Sequence, residues 1–164
     1  MKRFTLWPLM ALFVIFLSSC STDSIDDKAQ NVSSDYVIPQ AKVIEIEILE
    51  LINDYRLSEG LSALSNLGVI KSQTFDHTDY MIQNSNISHD NFTSRRNFLT
   101  QNANASRVSE NVAYGYSSAS SVVAAWINSD SHRDAIEGDY THFDISAEQD
   151  TNGYWYYTNI FIKK

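Results

Sequence analysis

The stretch that decides the fold is residues 142–162, which read HFDISAEQDTNGYWYYTNIFI. Apolar residues recur at every second position before the turn Asp150-Thr151-Asn152-Gly153, at Phe143, Ile145 and Ala147, and the same alternation resumes after it. A period of two is the spacing of a strand with one buried face, and Asn-Gly is a strong signal for a tight turn. The C-terminus is therefore predicted to be an antiparallel hairpin.

Four helices are predicted upstream of this hairpin, because apolar residues there recur at helical spacing. Their ranges are 41–56, 67–84, 119–128 and 132–136. The third follows a serine N-cap at Ser117 or Ser118, and the fourth is expected to end at Gly138. Residues 85–108 are rich in Asn, Ser and Thr and are predicted to be mostly loop. Helices that cover a small antiparallel sheet make an α+β domain.

The N-terminus has the three parts of a secretory signal. Lys2 and Arg3 precede an apolar run that ends in Leu17-Ser18-Ser19-Cys20, a sequence similar to a bacterial lipobox. We expect residues 1–19 to be removed and Cys20 to be lipidated; the alternative is an ordinary cleaved signal with an incidental cysteine. Residues 20–40 are then an acidic flexible tether, and residues 41–164 are the folded domain.

Composition excludes several classes of protein. The 164 residues suit one domain, and a single cysteine rules out both a disulfide framework and a thiolate metal cluster. The net charge of −8 argues against a nucleic-acid partner, since such proteins neutralise phosphates with basic residues.

The side chains that are candidates for metal binding or catalysis are few. They are the carboxylate of Glu110, which lies among apolar residues, and the four histidines His77, His89, His132 and His142. Imidazole and carboxylate together can bind a metal ion or act in acid–base catalysis. The sequence contains neither a His-Glu-x-x-His motif nor a Gly-x-Ser-x-Gly motif. His77, at helical spacing from Met81, is predicted to pack in the core.

Five motifs in this order resemble the CAP superfamily, the group of sperm-coating and pathogenesis-related 1 proteins. They are His89, Ser-Glu-Asn-Val-Ala-Tyr-Gly at 109–115, Trp126 with Ser129 and His132-Arg133, Thr-His-Phe-Asp-Ile at 141–145, and the final hairpin. The resemblance extends over about residues 44–162 and is strongest to small bacterial CAP-domain lipoproteins. It implies a three-layer α-β-α sandwich with a small, mainly antiparallel sheet and a central cleft.

The resemblance also implies a set of cleft residues. The family lines its cleft with two histidines and two acidic residues, which His89, His142 and Glu110 match in part. Ser129 stands where the second acid is expected. The candidates to replace this acid are Ser129, Asp130 and His132, and the alternative role of His132 is to tie the fourth helix to the preceding loop. His89 and His142, with Glu110 nearby, are then the candidate ligands of Zn²⁺. Glu110 and His142 are the candidate catalytic residues if the cleft is an active site.

Three functions are compatible with such a cleft. The first is a binding module for a divalent cation, or for a small apolar or peptide ligand, in envelope or host interaction. The second is a metal-assisted hydrolase, such as a peptidase, and the third is a structural envelope protein with a vestigial cleft. We favour the first, because no one reaction unites the family. The expected location is a bacterial membrane, most simply the outer membrane, with the domain anchored through Cys20 outside the cytoplasm.

Overall fold

The computed structural model of the protein describes Met1 and residues 36–164. The predicted signal peptide, Cys20 and most of the predicted tether lie outside the described residues. The elements within them are α1 (Val43–Ser58), β1 (Ser65–Asn66), α2 (Gly68–Gln83), α3 (Phe92–Ala103), β2 (Arg107–Tyr114), α4 (Ala119–Ile127), α5 (Asp130–Glu137), β3 (His142–Gln149) and β4 (Trp155–Lys163). In this described part, every helix is too short or too polar to cross a membrane.

A single sheet with the strand order β1-β3-β4-β2 forms the middle layer. β3 and β4 are the two strands of the predicted hairpin, and β2 pairs antiparallel with the other side of β4. In this register Ile160 of β4 lies between Asp144 of β3 and Glu110 of β2. β1 adds two residues parallel to β3. The sheet is therefore mixed but mainly antiparallel, as predicted.

Two helical layers enclose the sheet, because successive side chains of a strand enter opposite faces. α2 and α3 cover one face, where Ile160 and Ile162 pack with Ile70 and Leu99. α1, α4 and α5 cover the other face, whose largest buried side chains are Trp126, Tyr157, Phe143 and Phe161. The predicted three-layer sandwich is confirmed.

Helix α3 differs from the sequence prediction, which assigned residues 85–108 mostly to loop. Its Thr, Ser and Asn residues are weak helix formers, and it begins after Asn91, a residue in the left-handed region with φ 60°. Arg95, Leu99 and Ala103 are buried and recur every four residues, so that one helical face packs on the sheet. Tertiary packing therefore outweighs local propensity, and the arginine in the buried row conceals the apolar pattern.

The edge of β3 is closed by side chains rather than by a strand. Beyond β1, Lys71 of α2 donates a hydrogen bond to the carbonyl oxygen of Ile145 at 2.7 Å. The N–H of Ala147 donates to Oε1 of Glu45 in α1 at 2.8 Å. Lys71 and Glu45 also form an ion pair at 2.6 Å, and both side chains are buried. This ion pair takes the place of a neighbouring strand.

Candidate functional site

Glu110 is a buried carboxylate near the centre of β2, on the face covered by α2 and α3. Only 1% of its side chain is exposed. Arg95 of α3 donates from Nε to Oε2 at 2.8 Å and from Nη2 to Oε1 at 2.7 Å, which is a bidentate pair. Burial alone would raise the pKa of Glu110, but hydrogen bonds from His89 and Arg95 outweigh it and hold the pKa below the usual value. Glu110 is therefore ionised at neutral pH.

The ionised Glu110 fixes the tautomer of His89. Nδ1 of His89 lies 2.9 Å from Oε1 of Glu110. Because an ionised carboxylate can only accept, Nδ1 carries a proton, and Nε2 is the ring nitrogen that does not contact Glu110. The His89 side chain is 54% exposed, so this second nitrogen is available to a ligand.

The loop that carries His89 is held by His77 and Arg95. Nε2 of His77 donates to the carbonyl oxygen of Ser88 at 2.8 Å, and it lies 3.9 Å from Oε1 of Glu110. Arg95 donates from Nη1 to the carbonyl oxygen of Asp90 at 2.7 Å. Burial lowers the pKa of His77, which keeps the ring neutral. His77 is thus buried, as predicted, and it also positions the residue next to His89.

Ser129 and His132 belong to the helical layer on the other side of β2. Oγ of Ser129 lies 2.8 Å from Nδ1 of His132. The main-chain carbonyl of His132 accepts from Nδ2 of Asn111 at 2.9 Å, which ties α5 to β2. Burial, and then the charge of nearby His89, lowers the pKa of His132. The ring of His132 is therefore mostly neutral at pH 7.

Two cavities adjoin β2, and we refer to them together as the groove. The first has a volume of about 390 Å³ and is lined by Ile87, Val112, Ala113, Tyr114, Tyr116, Ala125, Trp126, Ser129 and His132. The second has a volume of about 240 Å³ and is lined by His89, Phe92, Val108, Ser109 and Glu110. The first cavity touches residues 112–114 of β2 and contains His132, and the second touches residues 108–110 and contains His89.

His142 lies elsewhere, contrary to the prediction that it shares the cleft with His89. It is the first residue of β3, and β4 separates β3 from β2. Two strand spacings put roughly 10 Å between the backbones of β3 and β2. His142 lines neither cavity of the groove, and its Nδ1 lies 2.9 Å from Oγ1 of Thr141. The motif match concerns the position of His142 along the chain, whereas sharing a cleft with His89 depends on the order of the strands across the sheet.

Asp130 does not take the place of the second acid. Its side chain is 90% exposed and forms an ion pair with Arg133 at 2.7 Å. Of the three predicted substitutes, Ser129 and His132 line the groove.

The donor set of the groove does not fit a zinc ion. Within residues 36–164, no three His, Cys, Asp or Glu side chains are grouped as a metal site requires. Both oxygens of Glu110 accept from Arg95, whose positive charge opposes a cation. Two imidazole rings remain, one fewer than the three protein ligands of a catalytic zinc site. The predicted zinc pair of His89 and His142 is not formed.

Arg95 is a residue of this site that the sequence motifs do not predict. It lies in the segment predicted as loop, outside every motif. The available signal was its spacing of four and eight residues from Leu99 and Ala103, which identifies a helical face.

Comparison with known proteins agrees with this architecture. The family model described as "Cysteine-rich secretory protein family", or CAP, matches residues 49–161. The "Uncharacterized membrane protein YlbC" of Bacillus subtilis is 32% identical over 124 residues, which are 73% of this chain and 34% of that protein. The chain therefore spans about a third of the length of this curated relative.

Three solved structures share the fold. An outer surface protein of Borrelia burgdorferi is 21% identical with a TM-score of 0.65, and the match covers 71% of this chain and 90% of that one. An extracellular protein containing an SCP domain from Bacillus anthracis is 23% identical with a TM-score of 0.64, covering 73% and 40%. A cysteine-rich secretory protein of Staphylococcus aureus is 22% identical with a TM-score of 0.64, covering 78% and 40%. The family match and the shared fold together show that this chain, despite its single cysteine, belongs to the CAP family.

Proposed function

We propose that this CAP domain is a ligand-binding module of the bacterial cell envelope, and that its ligand occupies the groove between His89 and His132. The observation that carries the proposal is the contact between a buried, ionised Glu110 and a largely exposed His89. Burying Glu110 and Arg95 costs desolvation energy that apolar residues would not cost. An arrangement that uses this pair to fix an exposed imidazole is typical of a binding or reactive site.

The groove offers both polar groups and apolar surface. Nε2 of His89, the ring nitrogen that does not contact Glu110, supplies one polar partner, and the hydroxyl of Ser129 beside the ring of His132 supplies a second. Val112, Tyr114 and Trp126 line the apolar end. A ligand with N–H or O–H groups and an apolar portion suits these surroundings.

The binding test screens a fragment library against the full chain in detergent by ligand-observed NMR. We expect the hits to lose binding in His89→Ala and in His132→Ala, and to keep it in the matched control His142→Ala. Hits that bind all three variants equally well would contradict the proposed site.

The proposed location rests on the sequence and on the relatives. The lipobox-like segment ends at Cys20, and the relatives include proteins named as an outer surface, an extracellular and a membrane protein. We expect the wild-type protein to fractionate with membranes and Cys20→Ala to be released from them. A Cys20→Ala protein that stays with the membranes would rule out lipid anchoring at this residue.

Hydrolysis in the same groove is a second candidate, favoured by one observation. Glu110 orients His89 through Nδ1, which is how a buried acid prepares a general base, and the Ser129 hydroxyl lies on the opposite wall. The test is incubation of the full chain with casein. Cleavage should be lost in His89→Ala and retained in His142→Ala; cleavage that persists in His89→Ala would exclude this mechanism.

A further inference from the structure

Strand β2 has a free edge that faces the groove. Among the described strands it pairs only with β4. The N–H of Gly115 donates toward β4, to the carbonyl oxygen of Trp155 at 2.8 Å, whereas the indole of Trp126 reaches the carbonyl oxygen of Val112 from the other side at 3.2 Å. Because these directions alternate along an antiparallel strand, residues 108, 110 and 112 direct their N–H and C=O groups away from β4.

Solvent reaches this row of main-chain groups. Glu110 as a residue is 8% exposed although its side chain is only 1% exposed, so the accessible surface belongs mostly to its main chain. Asn111, whose main chain points toward β4, is 1% exposed. Within residues 36–164, the indole of Trp126 provides the one hydrogen bond that reaches the outward groups of 108, 110 and 112.

The opposite edge of the sheet shows that an edge in this fold can be closed. There, Lys71 and Glu45 satisfy the main-chain groups of Ile145 and Ala147. β2 is eight residues long, and its sequence, RVSENVAY, contains neither Lys nor Pro; its charged residues are Arg107 at the start of the strand and Glu110, whose charge turns inward to Arg95. The fold therefore covers one edge with a buried ion pair and leaves the other open to the groove.

We infer that the ligand of the groove is an extended peptide that adds to β2 as a further strand. The inference rests on the proposed function, since it names the ligand class of the same groove. A peptide main chain carries alternating donors and acceptors at the repeat of a strand, which sugars and hydrocarbon chains do not. The edge of β2 presents the complementary groups, which are the N–H and C=O groups of residues 108 and 110 and the N–H of Val112.

The two walls specify the side chains of that peptide. In an added strand, successive side chains point alternately toward the wall of Ile87 and His89 and toward the wall of Ser129 and His132. The end near Tyr114 and Trp126 is apolar and aromatic. The charge of Glu110 is already compensated by Arg95, so the groove suits an uncharged segment with an apolar or aromatic residue at that end.

The test selects binders from a random decapeptide phage library against the full chain in detergent, and then methylates each backbone nitrogen of a synthetic hit in turn. A strand-like peptide uses every second N–H, so we expect N-methylation to weaken binding about tenfold at alternate residues and to have little effect between them. The protein-side variant is Val108→Pro, which removes an outward N–H without interrupting the ladder to β4. Its matched control is Val108→Ala, which keeps the N–H. We expect the proline variant to lose about as much binding as the N-methylated peptides do, about tenfold, and the alanine variant to keep its binding.

The outcomes separate this inference from the proposed function. Peptides that require His89 but show no period of two in the methylation scan would overturn strand addition and leave the binding groove intact. The same holds if no decapeptide binds while fragments bind in a His89-dependent manner. If neither decapeptides nor fragments depend on His89 or His132, the inference and the proposed function both fail.

Discussion

His89 and Glu110 join an exposed imidazole to a buried carboxylate, with Nδ1 of the histidine 2.9 Å from Oε1 of the acid. The same carboxylate accepts two hydrogen bonds from Arg95. One negative charge therefore fixes a ring at the groove and neutralises a guanidinium in the interior. A change at Glu110 should be visible in stability as well as in binding.

Replacing Glu110 by Gln should lower the free energy of unfolding by about 3 kcal/mol, because Arg95 would remain buried without a counter-charge. Urea denaturation of the full chain in detergent measures the change. The matched control is Asp130→Asn, which breaks an ion pair whose acid is 90% exposed and should leave stability unchanged. Equal effects of the two substitutions would contradict the assignment of Glu110–Arg95 as a buried pair.

The stability contributed by Glu110 should depend on pH with a definite sign. Burial opposes ionisation, but the hydrogen bonds from His89 and Arg95 hold the folded-state pKa below the ordinary value of 4.5. A depressed acid stabilises the fold above its unfolded pKa, and that contribution is lost as the pH falls through its folded pKa. The difference in unfolding free energy between wild type and Glu110→Gln should therefore be constant from pH 7 to about pH 5 and shrink at lower pH. A difference that stays constant down to pH 3 would show that Glu110 does not titrate in this way.

The stability contributed by Asp144 should depend on pH in the opposite direction from that of Glu110. Burial raises its pKa from 3.8 to about 6, so the protonated form is favoured in the fold. The resulting stabilisation is complete below pH 3.8 and is lost as the pH rises through 6, at 1.36 kcal/mol for each pKa unit. Asp144→Asn keeps an acceptor for the N–H of Ile145, and it should be more stable than wild type at pH 7 by up to about 3 kcal/mol.

The measurement for Asp144 is denaturant unfolding at pH 7 and at pH 4, where the advantage of Asp144→Asn should disappear. Asp54→Asn, at an exposed position of α1, is the control and should have no effect at either pH. An Asp144→Asn protein that is less stable than wild type at pH 7 would contradict the sign.

The parts of the fold that the sequence predicts are those set by local spacing. The period of two in 142–162 and the helical stripes of α1 and α4 depend only on neighbouring residues, and the structure contains these elements. The position of His142 relative to Glu110 depends instead on the strand order β1-β3-β4-β2, which local spacing does not determine. The role of Arg95 is not predictable from local spacing for a related reason. Its buried side chain is paired with Glu110, which lies 15 residues away on another element.

Zn²⁺ binding should not depend on the groove histidines His89 and His132. The described residues offer two imidazoles there, and Arg95 occupies the carboxylate that would be the third ligand. Calorimetric titration of Zn²⁺ into the full chain should give the same signal for wild type, for His89→Ala/His132→Ala and for His142→Ala. A signal that disappears in His89→Ala/His132→Ala but not in His142→Ala would establish a metal site that these contacts do not account for.

Hydrogen exchange should distinguish the two edges of the sheet. The N–H of Ala147 is bound by Glu45, whereas the N–H of Glu110 points into the groove without a protein partner among residues 36–164. In amide exchange followed by NMR, Ala147 should therefore exchange slowly and Glu110 quickly, although both lie at strand edges, while Ser109 and Asn111 should be protected by β4. Glu45→Gln retains an acceptor and should preserve the protection of Ala147, whereas Glu45→Ala should abolish it. Slow exchange at Glu110 in the unliganded protein would mean that the edge of β2 is closed, which would remove the physical basis for adding a strand to it.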